Sequence, residues 1–306
     1  KKDMAASGAS ASSHNSQGPR MPFLHKHIKK RFPGEQEQTR LYREQLESFA
    51  PLPVVMRTLD IGGDKDLPYF PIEEANPFLG WRGIRVTLDH PEVLMVQLRA
   101  MLRASQGLDN LELLLPMVTN VDEVDDTLKL IERAIIELGE EGVDVRRPRL
   151  GVMLEVPATL YQLRALAARV DFFSVGSNDL TQYLLAVDRN NPRVADLYDS
   201  CHPAVLSALH RLAAESSELN VPTSVCGELA GDPAGALLLM GMGFRVLSMN
   251  GPNLPRVRAA IRRVSREAAA ELVEQTLALD TPAEVRAHLA NRMQAWQLAH
   301  LLPPRD

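Results

Sequence analysis

The sequence has little cysteine and no long apolar run, and each shortage excludes a class of protein. Only Cys201 and Cys226 occur among its 306 residues, so a disulfide framework is excluded and a reducing, cytoplasmic setting is expected. No segment is apolar enough over enough residues to cross a bilayer, and the N-terminus lacks the apolar core of a secretory signal. The net charge is only -5, with positive charge scattered and carried mostly by arginine, which argues against general binding of nucleic acid or membrane surfaces. We therefore expect a small-molecule partner.

Large apolar residues are almost absent from residues 1–18, which are rich in serine, alanine and glycine. Such a segment buries too little surface to order itself, so we predict a disordered tail or linker there. His14 lies inside it, and we interpret this histidine as inert rather than as a phosphoryl acceptor.

From about Pro19 onward, apolar strand-like runs alternate with helical segments. The strand candidates are Val54 to Thr58, Leu111 to Val118, Leu150 to Val156, Val170 to Val175, Val221 to Cys226 and Phe244 to Met249, with further ones near Met21 to Leu24 and Ile84 to Val86. The best helix runs from Val121 to about Glu140, where apolar residues recur at steps of three and four before Gly142. Prolines at helix-opening positions predict four further helix starts, at Pro157, Pro203, Pro233 and Pro255.

About eight strands in roughly 290 residues favour an α/β fold of the (β/α)8 TIM-barrel type. A doubly wound sheet is the alternative. The glycine fingerprint of dinucleotide-binding sheets is missing after the early strands, because the IGGDKD of residues 61–66 lacks its spacing, and this counts against the alternative.

Polar residues follow several of the predicted strands at the point where each strand ends. These residues are Arg57 and Asp60, Glu155, Asn178 and Asp179, and Cys226 with Glu228. The carboxyl ends of barrel strands converge on one pocket, so we expect these side chains to be neighbours. A serine, asparagine and aspartate that follow a strand can also be an ordinary helix cap, and residues 177–179 leave this alternative open.

Two carboxylates of this set, Glu155 and Asp179, are predicted to bind Mg²⁺. Carboxylate oxygen suits this ion, which usually takes one or two carboxylates together with water and substrate oxygens. Neither residue belongs to a Cys/His cluster of zinc spacing. The alternative for Glu155 is a carboxylate paired with an arginine.

Several cations are candidates to hold an anion near these carboxylates. Arg57, Arg82 and Arg189 can each donate paired hydrogen bonds to a phosphate or carboxylate. Lys65 lies in a Gly-Gly-Asp-Lys loop whose backbone could approach an anion closely, although an ordinary surface loop fits the spacing nearly as well.

Cys226 has three possible interpretations from the residues alone. A cysteine at the end of an apolar strand is usually a small buried hydrophobe. At a barrel mouth beside Gly227 and Glu228 it can also be a thiol acid or a nucleophile, and the sequence chemistry does not choose between them.

Five stretches resemble one family of enzymes. They are RTLDIGGDK at 57–65, NPFLGWRGIR at 76–85, GVMLEVP at 151–157, FFSVGSNDLTQYLLAVDRNN at 172–191 and CGELAGDP at 226–233. They resemble, in this order, the phosphoenolpyruvate-binding C-terminal domain of Enzyme I, the first phosphotransferase of the bacterial sugar phosphotransferase system. The motif LAVDRNNP at 185–192 is most similar to the nitrogen-regulatory branch of this family. The resemblance implies that residues 19–306 form a phosphoenolpyruvate-binding barrel with C-terminal helices.

The resemblance also implies which residues bind substrate. Arg57 and Arg189 would contact the phosphate of phosphoenolpyruvate, and Asn178 would contact the substrate. Arg82 and Lys65 would line the same pocket.

The chemistry of the reaction is implied in the same way. Glu155 and Asp179 would hold Mg²⁺, with Asp179 thereby close to the substrate oxygens. Cys226 would be the general acid that protonates the enolate carbon as pyruvate forms.

The chain departs from the family pattern in two places. The family carries the phosphorylated histidine on a separate N-terminal part, and nothing here matches it, so the phosphoryl group would pass to a histidine on another domain and then to a phosphocarrier protein. The family's first barrel strand also supplies an arginine, and here Arg20 lies at about the right distance before Arg57 with altered neighbours.

Three further expectations follow from the resemblance. Family members dimerise through this domain, so a homodimer is implied. A pyruvate phosphate dikinase or phosphoenolpyruvate synthase is the competing enzyme, since both share the barrel, the metal carboxylates and the cysteine. A domain that binds phosphoenolpyruvate, dimerises and reports to a partner without catalysis is the alternative outside enzymes.

Overall fold

A computed structural model describes residues 31–63 and 70–302, and in these ranges six strands form one sheet. The strands are β1 Val54–Arg57, β2 Leu111–Leu115, β3 Arg149–Leu154, β4 Phe172–Gly176, β5 Thr223–Cys226 and β6 Val246–Ser248. Each strand pairs in parallel with the next one along the chain. Strictly sequential order is that of a (β/α)8 barrel, whereas a doubly wound sheet reverses its order partway. The predicted α/β barrel class is therefore confirmed, and the doubly wound alternative is wrong.

Helices connect the strands and cover the sheet. They are α1 Glu35–Phe49, α2 Ile84–Asp89, α3 Pro91–Ser105, α4 Val121–Glu140, α5 Leu163–Ala167, α6 Ser177–Leu185, α7 Pro203–Glu218, α8 Glu228–Gly231, α9 Pro233–Met242, α10 Leu254–Ile261, α11 Arg266–Leu277 and α12 Pro282–Ala295. No helix of the described ranges combines the length and apolarity needed to cross a membrane.

The sequence signals explain where most helices begin and end. Helix α4 has the predicted bounds, because Asn120 and Glu123 form a capping box at its start and Gly142 takes a φ of 79° just after its end. Proline opens α7, α9 and α10 as expected. At Pro157 the chain instead forms a short 3-10 turn, Pro157–Tyr161, ahead of α5.

One strand prediction is wrong. Ile84 to Val86 is the first turn of α2, where Thr87 N donates to Gly83 O at 3.2 Å and His90 N donates to Val86 O at 3.0 Å. A run of three apolar residues fits a buried helix turn as well as a strand, and periodicity alone cannot separate the two. The strand predicted near Met21 to Leu24 lies outside the described residues, as does the predicted tail.

The sheet is buried on both faces. Leu113 and Leu115 of β2 belong to the main core, which the helices pack against. Leu114, between them, points to the other face and joins a separate cluster with Met153, Phe172 and Cys226. Because side chains alternate along a strand, this second cluster is the filling of the barrel interior. Cys226 therefore faces inward.

Candidate active site

Polar side chains collect at the carboxyl edge of the sheet. Arg57 ends β1 and Cys226 ends β5, while Glu155 directly follows β3. Asn178 and Asp179 lie in the first turn of α6, which begins at once after β4. The strand register pairs Gly176, the last residue of β4, with Cys226, the last residue of β5, and sets Leu154, the last residue of β3, beside Val175. The structure thus brings together the strand-end residues that the sequence singled out.

A chain of alternating charges crosses this edge in the order Arg57, Asp60, Arg82, Asp179 and Arg189. Arg57 Nη1 lies 3.0 Å from Asp60 Oδ2, and Arg82 Nε lies 3.2 Å from Asp60 Oδ1. On the other side, Asp179 Oδ2 lies 3.3 Å from Arg82 Nη2, and Asp179 Oδ1 lies 3.4 Å from Arg189 Nη2. Three guanidinium groups around two carboxylates leave one positive charge in excess, which favours an anion at this charge chain.

Arg82 is the centre of the charge chain and is completely buried. Its guanidinium donates to both oxygens of Asp60 and to both oxygens of Asp179. A planar fork of five N–H donors can serve two carboxylates at once, which the single ammonium of lysine cannot do. The next residue, Gly83, has a φ of 60° and donates its N–H to Ile61 O at 3.0 Å, so the turn holds Arg82 in place.

Glu155 is also completely buried, and only one of its two oxygens is engaged. Oε1 accepts the backbone N–H of Met117 at 2.7 Å, whereas Oε2 has no hydrogen-bond partner among the described residues. Burial raises the pKa of Glu155 to about 7, and the negative charges of Asp179 and Asp60 add to the effect. The alternative to a metal role, in which Glu155 forms an ion pair with an arginine, does not occur in the described part of the chain.

The room for this carboxylate comes from Gly176. A Cβ on Gly176 would lie 2.6 Å from Glu155 Oε2, closer than nonbonded atoms approach. Glycine at the end of β4 is therefore required by Glu155, in addition to ending the strand.

Glu155 and Asp179 fit a hard divalent cation. A buried carboxylate oxygen without a partner, next to two further carboxylates, is costly unless a cation or a proton neutralises it. Carboxylate oxygen is the donor that Mg²⁺ prefers. Within the described residues no group of three His, Cys, Asp or Glu side chains is arranged to hold a metal by itself. Such an ion would complete its shell with water or substrate oxygens, as Mg²⁺ usually does.

Ser177 and Asn178 bind the next strand end rather than their own helix. Ser177 Oγ donates to Cys226 O at 2.7 Å, and Asn178 Oδ1 accepts the N–H of Glu228 at 2.9 Å. In the described structure α6 has no side-chain cap, so the helix-cap interpretation is wrong. Gly227 allows this approach, since its φ is 115° and a Cβ would lie 2.2 Å from Ser177 Oγ.

Cys226 is 2% exposed, and its Sγ donates to Val175 O at 3.3 Å. The thiol faces the barrel interior at the carboxyl edge, where Cys226 pairs with Gly176, the residue that precedes α6. This position is consistent with a buried hydrophobe and also with a thiol acid that meets a substrate in the barrel mouth. The other cysteine, Cys201, lies near Asp199 and Asp232, and burial raises its pKa to about 12.

Arg189 approaches the site from the segment after α6. Its backbone N–H donates to Gln182 Oε1 at 3.2 Å, and its Nη1 is buried with no partner in the described residues. Tyr198 lies beside it and donates to Asn178 O at 3.3 Å, and burial raises the pKa of Tyr198 to about 12. The unpartnered guanidinium donor of Arg189 and the unpartnered carboxylate oxygen of Glu155 fit a ligand that has both an anionic group and a cation.

Some residues of this site had no assigned role in the sequence analysis. Asp60 follows a predicted strand, and its spacing of three residues from Arg57 is a sequence signal for the ion pair that the structure shows. Met117 contributes a backbone N–H at a φ of 59°, for which side-chain chemistry gives no signal. Arg20 and Lys65 lie outside the described residues, so their predicted roles stay predictions.

Comparison with known proteins assigns the family. A sequence model described as "PEP-utilising enzyme, PEP-binding domain" matches residues 19–266. The chain belongs to this family. A protein of Escherichia coli K12 named "Phosphoenolpyruvate-dependent phosphotransferase system" is 50% identical over 275 residues, which are 90% of this chain and 36% of the relative. "Phosphoenolpyruvate-protein phosphotransferase" of Haemophilus influenzae is 42% identical over 84% of this chain and 45% of the relative.

These relatives confirm the predicted resemblance to the phosphotransferase Enzyme I. Their names favour it over the dikinase and synthase alternatives. The chain spans less than half the length of either relative. Among solved structures, a malate synthase of Haloferax volcanii overlaps 87% of this chain and 74% of its own with a TM-score of 0.47 and 14% identity.

Proposed function

We propose that this chain binds phosphoenolpyruvate together with Mg²⁺ at the carboxyl edge and prepares its phosphoryl group for transfer to a histidine on another domain. The observation that supports this proposal best is the set of charged side chains around Asp179. Asp179 lies between Arg82 and Arg189, and its negative charge helps to raise the pKa of Glu155, whose second oxygen is buried without a partner in the described residues.

The cations of the charge chain bind the substrate. Arg57 and Arg189 are 17% and 20% exposed in their side chains, whereas Arg82 is completely buried. The two outer arginines can therefore reach a phosphate, while Arg82 fixes Asp60 and Asp179. Paired N–H donors that meet the phosphate oxygens stabilise the charge that develops on the phosphoryl group as it leaves.

Glu155 and Asp179 would hold the Mg²⁺. The ion would supply charge neutralisation at the phosphate and enolate oxygens of the substrate. Glu155 is held in place for this task by the N–H of Met117, and Asp179 by Arg82. Asn178, beside them, would orient the substrate.

Cys226 would donate the proton that turns the enolate into pyruvate. When the phosphorus–oxygen bond breaks and phosphorus bonds to the acceptor histidine, the enolate keeps the electron pair. Its methylene carbon then takes the thiol proton of Cys226, and the thiolate regains a proton from water. The inward position of Cys226, under the barrel mouth, is what supports this role.

The acceptor is proposed to be a histidine on a separate domain, from which a phosphocarrier protein takes the phosphoryl group. The names of the relatives support this partner class, since another relative, of Rhodobacter capsulatus, is named "Multiphosphoryl transfer protein" and is 40% identical over 83% of this chain and 30% of its own length. We also propose a homodimer, which light scattering would test, and the cytoplasm as location, where both cysteines stay thiols.

Exchange of the pyruvate methyl protons tests the proposal. With Mg²⁺ in deuterated water, the purified chain should replace these protons with deuterium, because a thiol that protonates the enolate also removes the proton in reverse. Cys226→Ala should abolish the exchange and keep binding of phosphoenolpyruvate. Cys201→Ala is the matched control and should exchange at the wild-type rate. Proton NMR measures all three.

Two outcomes would contradict the catalytic proposal. If the wild-type chain binds phosphoenolpyruvate without exchanging pyruvate protons, the sensing domain becomes the better interpretation. If Cys226→Ala exchanges as fast as wild type, another group is the acid. Addition of a histidine-bearing domain in trans, with detection of phosphohistidine, then tests the transfer itself.

A further inference from the structure

Tyr183 has no role in the proposed chemistry, yet it contacts segments that carry the charged residues. It lies on α6 four residues after Asp179, so both side chains leave the same face of that helix. Its hydroxyl donates to the backbone oxygen of Phe78 and lies 3.9 Å from Met117 Sδ. Phe78 precedes Arg82 by four residues.

Residues 76–83 form the loop that carries Arg82, which we call the arginine loop. Near its C-terminal end, Trp81 N donates to Glu74 Oε1 at 2.8 Å and Gly83 N donates to Ile61 O at 3.0 Å. The loop is joined to α6 by the ion pair of Arg82 with Asp179 and by the hydrogen bond from Tyr183 to Phe78.

These two links respond differently to a cation. The ion pair uses Asp179, whose oxygens a bound cation would share, so the link weakens when the cation arrives. The link through Tyr183 is uncharged. Burial raises the pKa of Tyr183 well above its ordinary value, so the phenol remains a hydrogen-bond donor at every physiological pH.

We propose that Tyr183 is a positioning residue that keeps the arginine loop attached to α6 while Asp179 binds the cation. Arg82 then keeps its place in the site although its contact with Asp179 is weakened. This role rests on the proposed function, and it assigns to Tyr183 no contact with substrate.

Trp81 gives a direct readout of the loop. The chain has two tryptophans, so Trp296→Phe leaves Trp81 as the sole tryptophan, whose emission can be excited selectively over that of tyrosine. Its ring lies 5.6 Å from that of Phe70 and 5.4 Å from that of His90, and these rings shield part of it from solvent. In this background we expect Tyr183→Phe to raise acrylamide quenching of Trp81, and to raise it more when Mg²⁺ is present.

Substrate binding gives a second readout. In Tyr183→Phe the affinity for phosphoenolpyruvate with Mg²⁺ should fall roughly two- to tenfold, as expected for the loss of one buried hydrogen bond. The exchange rate at saturating pyruvate should stay at the wild-type value, because Cys226 is untouched. A general loss of packing would instead lower both.

Tyr161→Phe is the matched control, since this residue is 76% exposed and its ring lies under Arg211. It should leave quenching and affinity unchanged. Wild-type quenching of Trp81 in Tyr183→Phe, with and without Mg²⁺, would overturn the inference. If the wild-type chain binds no phosphoenolpyruvate, the proposed function fails, and the quenching of Trp81 still decides whether Tyr183 holds the loop.

Discussion

Two arginine–carboxylate networks in this molecule use the same chemical groups and have opposite properties. The first is the charge chain at the carboxyl edge, with Glu155 beside it. The second, which we call the outer network, joins α1, α3 and α4 through Arg99 and Arg103 with three glutamates, Glu35, Glu137 and Glu141. The two networks differ in burial, in buried polar atoms without a partner and in the direction of their pKa shifts.

Every member of the outer network finds an opposite charge. Arg99 Nε lies 2.8 Å from Glu35 and its Nη1 lies 3.0 Å from Glu137. Hydrogen bonds from the arginines lower the pKa of Glu141, so its charged form is the stable one. The outer network contributes none of the buried side-chain atoms that lack a partner in the described structure.

At the carboxyl edge, by contrast, several buried polar atoms have no partner in the described ranges. Four of the eight buried unpartnered side-chain atoms in the described ranges belong to Glu155, Thr181, Gln182 and Arg189, at or next to this edge. The pKa of Glu155 is raised rather than lowered, because burial and neighbouring carboxylates outweigh the arginines. A fold tolerates such unsatisfied groups where a ligand satisfies them. The following substitutions test this difference.

The largest effect is expected for Arg82→Met. It leaves Asp60 and Asp179 buried without their shared partner, which should cost about 3–5 kcal/mol of unfolding free energy. Urea denaturation followed by circular dichroism measures the loss. Arg82→Lys should recover only part of it, because one ammonium cannot serve four carboxylate oxygens. A methionine variant as stable as wild type would show that the charge chain is not a buried ion network.

Glu155→Gln should change the pH dependence of stability. The folded-state pKa of Glu155 is about 7 and the ordinary value is 4.5, so its favourable contribution is complete below pH 4.5 and is lost as the pH rises through 7. Relative to the glutamine variant, metal-free wild type should lose up to about 3 kcal/mol across this window. Parallel pH profiles of the two unfolding free energies would count against the raised pKa.

The same variant tests the metal. Glutamine keeps the acceptor for the N–H of Met117 and removes the negative charge, so the fold at Met117 should survive. Affinity for phosphoenolpyruvate should become independent of Mg²⁺, which calorimetric titration with and without the ion measures. If the affinity of this variant for phosphoenolpyruvate depends on Mg²⁺ as in wild type, Glu155 is not a ligand of the metal.

Gly227→Ala should cost about 2 kcal/mol, because φ is 115° and the new Cβ strikes Ser177 and Asn178. It should also weaken binding of phosphoenolpyruvate by displacing Asn178. Gly243→Ala is the matched control, since Gly243 has a φ of 105° and nothing within 4 Å of its added Cβ. Equal binding by the two variants would show that Asn178 does not contact substrate.

The smallest effect is expected in the outer network. Arg103→Gln breaks partly exposed ion pairs that are worth at most about 1 kcal/mol, and high salt should reduce even that difference. Its affinity for phosphoenolpyruvate should equal that of wild type. A weaker affinity for phosphoenolpyruvate in this variant would show that the outer network also affects substrate binding.

Much of the fold was predictable because its signals are local. Six predicted strands were found, and α4 has the predicted start at Val121 and the predicted end near Glu140, because its apolar stripe and the following glycine agree. The error at residues 84–86 arose because a short apolar run carries no period, while the left-handed turn at Gly83 that starts the helix depends on packing against Met117.

The site divides in the same way. Carboxylates and arginines at strand ends could be recognised from their residue types and positions. The pairing of Arg82 with two aspartates, the N–H that Met117 gives to Glu155, and the hydroxyl of Tyr183 could not, because each depends on segments far apart in sequence coming together.

The inward-facing thiol of Cys226 can report how often the end of β5 opens. Cys226 is 2% exposed and bound to Val175 O, so an alkylating reagent reaches it only after the end of β5 opens. Cys201, whose pKa of about 12 keeps it protonated, contributes little background. The rate at which this thiol is alkylated therefore measures how often the barrel mouth opens, and a ligand that keeps the mouth closed would slow the alkylation.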